Sequence, residues 1–93
     1  MSVTLDDRVR VNPDVLYKEL DGEAVLLDLK SGTYFGLDPI GTAVWQALVQ
    51  HTFARPAIPG LLDAYDVEVS VLEADVVNLL NDLSANHLIE RDR

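Results

Sequence analysis

The chain reads as a small α+β domain in which a three-stranded antiparallel sheet is followed by three helices. Three observations predict this. Up to Leu37 the apolar residues come in short runs broken by turn signals, whereas from Ile40 onward they recur at helical spacing. Asp21-Gly22 and Ser31-Gly32 punctuate the first part as hairpin turns. Asp38-Pro39 then marks a helix start, with a carboxylate to cap the free amides and a proline whose fixed φ suits the first turn. With 93 residues, 48% of them apolar, the chain is expected to form one domain over residues 1–93 around a single modest core, with an N-terminal arm at about 1–7.

Taken in order, Arg8-Val9-Arg10-Val11 alternates like a strand until Asn12-Pro13-Asp14 breaks it. Residues 15–20 read as the first strand of the sheet and residues 23–29 as the second. Between them Asp21-Gly22 suits a type I′ turn, which needs positive φ at both centres. Residues 33–37 are the third strand, short, apolar and at the sheet edge. For this second hairpin the spacing favours a three-residue loop, Lys30-Ser31-Gly32, with Gly32 left-handed. Leu27 then faces Phe35, Val25 faces Leu37, and Leu29 faces Thr33. Asp28 and Leu26 share the other face with Tyr34 and Gly36. A slip of one residue would exchange the faces.

The first helix is expected to run to about His51, with Ile40, Val44, Ala47 and Leu48 on one side and Trp45 on its shoulder. A short helix over about residues 59–65 follows two prolines. Ser70-x-x-Glu73 reads as a capping box opening a third helix over residues 70–86. Leu88-Ile89 would end the domain as an extended tail. In the third helix Leu72, Val76, Leu79 and Leu83 lie within about 60°, and Val77 and Leu80 widen the apolar arc to roughly 160°, against about 100° for an ordinary surface helix. Either two neighbours sandwich this helix, or a margin of the arc such as Leu80 lines a groove.

Charge and composition exclude several functions. The formal net charge is −9, and between Ser31 and Glu90 the only Lys or Arg is Arg55. Nucleic-acid binding draws most of its affinity from neutralised phosphates, so DNA or RNA is not an expected partner. There is no cysteine, hence no disulfide or thiolate site. His51 and His87 stand apart at helix ends and suit the negative dipole there better than a metal. No nucleophile elbow, phosphate-binding glycine loop or paired catalytic carboxylates are present, so neither an enzyme nor a cofactor is expected. No apolar run approaches the ~20 residues of a membrane span, and no signal-peptide layout opens the chain, which favours a cytoplasmic protein without membrane contact. What stands out is the open edge of the third strand. Such edges are hazards unless something pairs with them. Tyr34 on that edge is either idle or contact-making, and Trp45 either core or a ligand platform.

The order of elements describes a winged-helix-like domain. Val25-Leu-Leu-Asp-Leu-Lys-Ser-Gly-Thr-Tyr-Phe-Gly-Leu37, Gly41-x-x-Val-Trp45, Leu61-Leu-x-x-Tyr-x-Val67 and Asp75-Val-x-x-Leu-Leu-x-x-Leu83, ending in Leu88-Ile89, closely resemble the PqqD-like family of stand-alone peptide-recognition elements. These act in pathways to ribosomally made, post-translationally modified peptides, and the likeness covers about residues 8–90. The hairpin and the Gly-x-x-Val-Trp helix are more similar to lasso-peptide pathway members than to those of quinone-cofactor biosynthesis. The prolines between Phe53 and Gly60 depart from the family pattern. The resemblance implies that a precursor's leader binds as an added antiparallel strand and is delivered to a leader peptidase or other modifying enzyme. It implies a site made of Thr33, Tyr34, Phe35, Gly36 and Leu37 with Asp75, Val76, Leu79, Leu80 and Leu83. A winged-helix DNA-binding regulator is the alternative, disfavoured by the missing Lys and Arg.

Overall fold

The computed structural model describes residues 3–21 and 23–92. Strands β2 (Val15–Leu20), β3 (Glu23–Asp28) and β4 (Tyr34–Leu37) form an antiparallel sheet in the order β2-β3-β4. Helices α1 (Pro39–His51), α2 (Ile58–Ala64) and α3 (Val69–Ala85) follow, as the sequence predicts. Of the first hairpin turn, Asp21 adopts the positive φ of 53° that such a turn needs, and Gly22 lies outside the described residues. A feature absent from the sequence reading is a second sheet. The alternating segment β1 (Val9–Val11) pairs antiparallel with the tail β5 (Ile89–Arg91), so the two ends of the domain close as a ribbon.

The register of the second hairpin differs from the expectation by one residue. Leu26 faces Phe35, Ala24 faces Leu37, Val25 faces Gly36 and Leu27 faces Tyr34. The loop is therefore four residues long, 29–32, though Gly32 is left-handed as expected, at φ 73°. Two bonds wrap this loop: the Asp28 carboxylate accepts Lys30 N–H at 3.0 Å and the Asp28 carbonyl accepts Gly32 N–H at 2.8 Å. The slip exchanges the faces of β3. Ala24 and Leu26 enter the core, Leu26 with no exposed surface, while Val25 and Leu27 are half-buried on the outer face. Both alternation sets of β3 are apolar, so hydrophobicity alone does not choose between them, and the turn carboxylate does.

Helix α1 begins as its sequence dictates. Asp38 caps it by accepting Gly41 N–H at 2.7 Å, Pro39 opens the first turn, and left-handed Thr52 ends it. Trp45 and Val44 are core residues, with Leu48 beside them. A 3₁₀ turn (Arg55–Ala57) leads into α2 across the two prolines. The predicted capping box does not form. Helix α3 starts at Val69 with Glu68 as N-cap and no side-chain capping bond, and Ser70 lies inside the first turn. This start places Val67 and Leu72, both against the core, at the N′ and N4 positions of a hydrophobic staple. The described part of the N-terminal arm is integral to the domain: Val3 and Leu5 are buried. The Asn81 side chain accepts Val3 N–H at 2.9 Å and donates back to the Val3 carbonyl at 3.2 Å, as a neighbouring strand would.

Candidate functional site

Among the described residues no strand pairs with the outer side of β4. Its hydrogen-bonding groups can be assigned. Asp28 N–H donates to the Thr33 carbonyl at 3.0 Å and closes the ladder as a hydrogen-bonded pair. Bonded and non-bonded pairs alternate in an antiparallel ladder, so Phe35 and Leu37 turn amide and carbonyl toward β3. Tyr34 and Gly36 turn theirs away from the sheet, and these are the groups a further strand would use. The side chains divide the other way. Phe35 is half-buried and Leu37 buried on the core face, while Tyr34, 73% exposed, and Gly36 lie on the outer face. Thr33 stands just before the strand, exposed, with its hydroxyl 2.7 Å from that of Ser31.

The helical candidates separate into two groups. Val76, Leu80 and Leu83 are core residues with at most 1% exposure, packed in one cluster with Leu26, Leu37, Trp45 and Leu48. Leu80 is therefore no groove margin; the wide apolar arc is explained on this side by sandwiching. Asp75 is exposed and Leu79 half-buried at the core's edge. One flank of α3, carrying Glu73, Val77 and Asn81 at four-residue spacing, is already covered: Arg55 reaches Glu73 at 2.9 Å and the N-terminal arm bonds Asn81. On the other side Val71, Asp75 and Leu79 form a row at the same spacing, with Val71 and Asp75 exposed. Val71 was not singled out in the sequence, although its position four residues before Asp75 places it on that row.

The ionised groups act as structural ties. Arg55 forks onto Asp6 through two bonds of 2.8 Å while also holding Glu73. Its hydrogen bond keeps the Asp6 carboxyl below the usual carboxylate range. The backbone N–H of Lys30 likewise lowers Asp28, partly opposed by burial. A surface depression of about 1160 Å³ lies between the β1–β5 ribbon and the end of α1, lined by Val11, Val49 and Ile89 and by the Lys30–Asp14 ion pair. None of the candidate residues of β4 or α3 lines it. Among the described residues no cluster of three or more His, Asp or Glu is placed to hold a metal ion, and no helix is long and apolar enough to cross a membrane.

The described residues thus show an open strand edge at β4 and, on α3, a row of Val71, Asp75 and Leu79 that is not buried. Comparison with known proteins gives the family. Residues 23–89 match the model of Coenzyme PQQ synthesis protein D (PqqD), and the chain belongs to this family. Two solved structures share its fold. "TbiB1 in Complex with the TbiA(beta) Leader Peptide" is 30% identical, with a TM-score of 0.80 over 90% of this chain and 98% of that one. "Lasso peptide synthetase B1 complexed with the leader peptide" is 26% identical, with a TM-score of 0.79 over 89% of this chain and 98% of that one. No curated protein sequence matches the chain significantly.

Proposed function

We propose that this protein is a leader-peptide recognition element of a lasso-peptide pathway. It binds the leader of a precursor peptide as a strand added antiparallel to β4 and presents it to a leader peptidase or other modifying enzyme in the cytoplasm, without catalysing a reaction itself. The observation that carries the reading is the outward-facing backbone of Tyr34 and Gly36 on an unpaired edge, in a chain whose structural neighbours are complexes with leader peptides. On this reading Thr33, Tyr34, Phe35, Gly36 and Leu37 supply the strand. Asp75 and Leu79 meet the leader's side chains, and Val76, Leu80 and Leu83 hold the helix in place from the core.

Magnitudes support a shared task between strand and helix. Two residues offer at most four backbone bonds, and at ~0.5–1.5 kcal/mol each they contribute about 2–6 kcal/mol. Micromolar affinity needs about 8 kcal/mol, so apolar anchors must add the remainder. Replacing Gly36 by proline tests the strand directly. Proline is tolerated where an amide points away from the sheet, so Gly36→Pro is expected to fold and to bind a synthetic leader at least about tenfold more weakly. Phe35→Pro, whose amide bonds inward, is expected to damage the sheet itself. Normal affinity in a folded Gly36→Pro protein, measured by fluorescence anisotropy, would rule out strand addition at β4.

A further inference from the structure

The outer face of the sheet is open over Gly36. Val25, Leu27, Tyr34 and Gly36 share that face by register, and Val25 stands directly across from Gly36. A Cβ placed on Gly36 meets nothing within 4 Å, so the space above it is open. No positive φ is recorded there, in contrast to Gly32 at +73°, so backbone conformation does not demand a glycine at this position. A glycine inside a strand weakens it by roughly 0.5–1 kcal/mol relative to a residue with a side chain. Gly36 therefore carries a cost without a conformational reason, and it does so on the edge where a guest strand is to lie.

The surroundings show what the missing side chain admits. Along β4 the open space is flanked by exposed Tyr34. Across the sheet it ends at half-buried Val25. A residue on an added strand opposite Gly36 would project onto this same face. Strands lie about 4.8 Å apart, so an aromatic ring reaching inward from the guest strand would lie across the bare glycine backbone and touch Val25. A ring covering a glycine on a neighbouring strand is a known stabilising pair. A short guest side chain could not reach Val25.

We propose that Gly36 is a specificity residue that selects an aromatic side chain at the leader position paired with it. The ring lies flat over Gly36, against Val25 and beside Tyr34. This rests on strand addition at β4, and the test separates the two ideas. A display library of random 12-residue peptides is selected on the wild-type protein and on Gly36→Val. The variant keeps the outward amide and fills the open space, and thermal melting is expected to find it at least as stable as wild type. Wild-type selection is expected to give peptides with one fixed aromatic position. Changing that residue to alanine should weaken binding about tenfold or more on the wild type and less than about twofold on Gly36→Val, the difference reporting loss of ring burial. Failure to select any peptide would overturn the leader-binding reading itself. Peptides without a fixed aromatic, or an aromatic equally important to both proteins, would overturn only the role of Gly36.

Discussion

Asp28 shows how one side chain can decide a register. The four residues Ala24-Val-Leu-Leu27 are apolar on both alternations, and a reading by hydrophobicity puts Val25 and Leu27 inside. The structure instead buries Ala24 and Leu26 and uses the Asp28 carboxylate to hold Lys30 N–H at 3.0 Å. Individual residues whose role is local were legible: Asp38 caps α1, Gly32 is left-handed, and Tyr34 and Gly36 face outward. The parity of β3 was not, because it depends on a turn bond that pattern counting omits. Asp28 also makes a pH prediction. Its folded pKa lies below the ordinary carboxylate value, chiefly because Lys30 N–H bonds the charged form. The stability this contributes is present above about pH 4 and is lost as pH falls through the folded value. Asparagine keeps the acceptor and binds no proton. Denaturant unfolding of Asp28→Asn is therefore expected to lose less stability than wild type between about pH 4 and pH 2. Asp6, lowered by Arg55, leaves both proteins some acid sensitivity. An unchanged acid profile in the variant would contradict the role given to Asp28.

At the scale of elements, α3 divides into a buried stripe and two flanks that differ in what covers them. Its wide apolar arc left two readings open, sandwiching between neighbours or a groove lined by a residue such as Leu80. Packing favours the first for Leu80, because the residues that widen the arc meet different neighbours: Leu80 enters the core, whereas Val77 sits on the flank that carries Asn81 and the N-terminal arm. Sequence periodicity gives the arc but not which neighbour covers which part of it. The same limitation misplaced the helix start, where Val67 and Leu72 outweigh the Ser70 hydroxyl. Two substitutions should therefore behave differently. Leu80→Ala is expected to lower stability by about 2–5 kcal/mol through a core cavity. Leu79→Ala, at the half-buried margin, is expected to cost less stability and to weaken leader binding about tenfold. Equilibrium unfolding and anisotropy on the same samples check both. Loss of affinity for Leu80→Ala alone, at temperatures where it is folded, would move the contact to the wrong side of the helix.

For the whole molecule, the order of elements was readable because each boundary has a local signal: turn glycines, the Asp38-Pro39 cap, and the spacing of leucines. The closures were not, because their partners are far apart in sequence. β1 meets β5 across most of the chain, and Val3 bonds Asn81, 78 residues away. These closures tie Val3 to α3 and β1 to β5, while β4 pairs only with β3 among the described residues. The candidate site was legible as an edge strand with an apolar helix, and the direction of each backbone group came only with the true register. On the proposed function, the open edge of β4 takes in the leader as an added strand. Amide hydrogen exchange by NMR, with and without a saturating leader peptide, measures that claim directly. In the free protein Phe35 and Leu37 amides should be protected and those of Tyr34 and Gly36 should exchange freely, and the leader should slow Tyr34 and Gly36 by more than about tenfold. A bound leader that leaves the Tyr34 and Gly36 amides exchanging as in the free protein would contradict strand addition at β4.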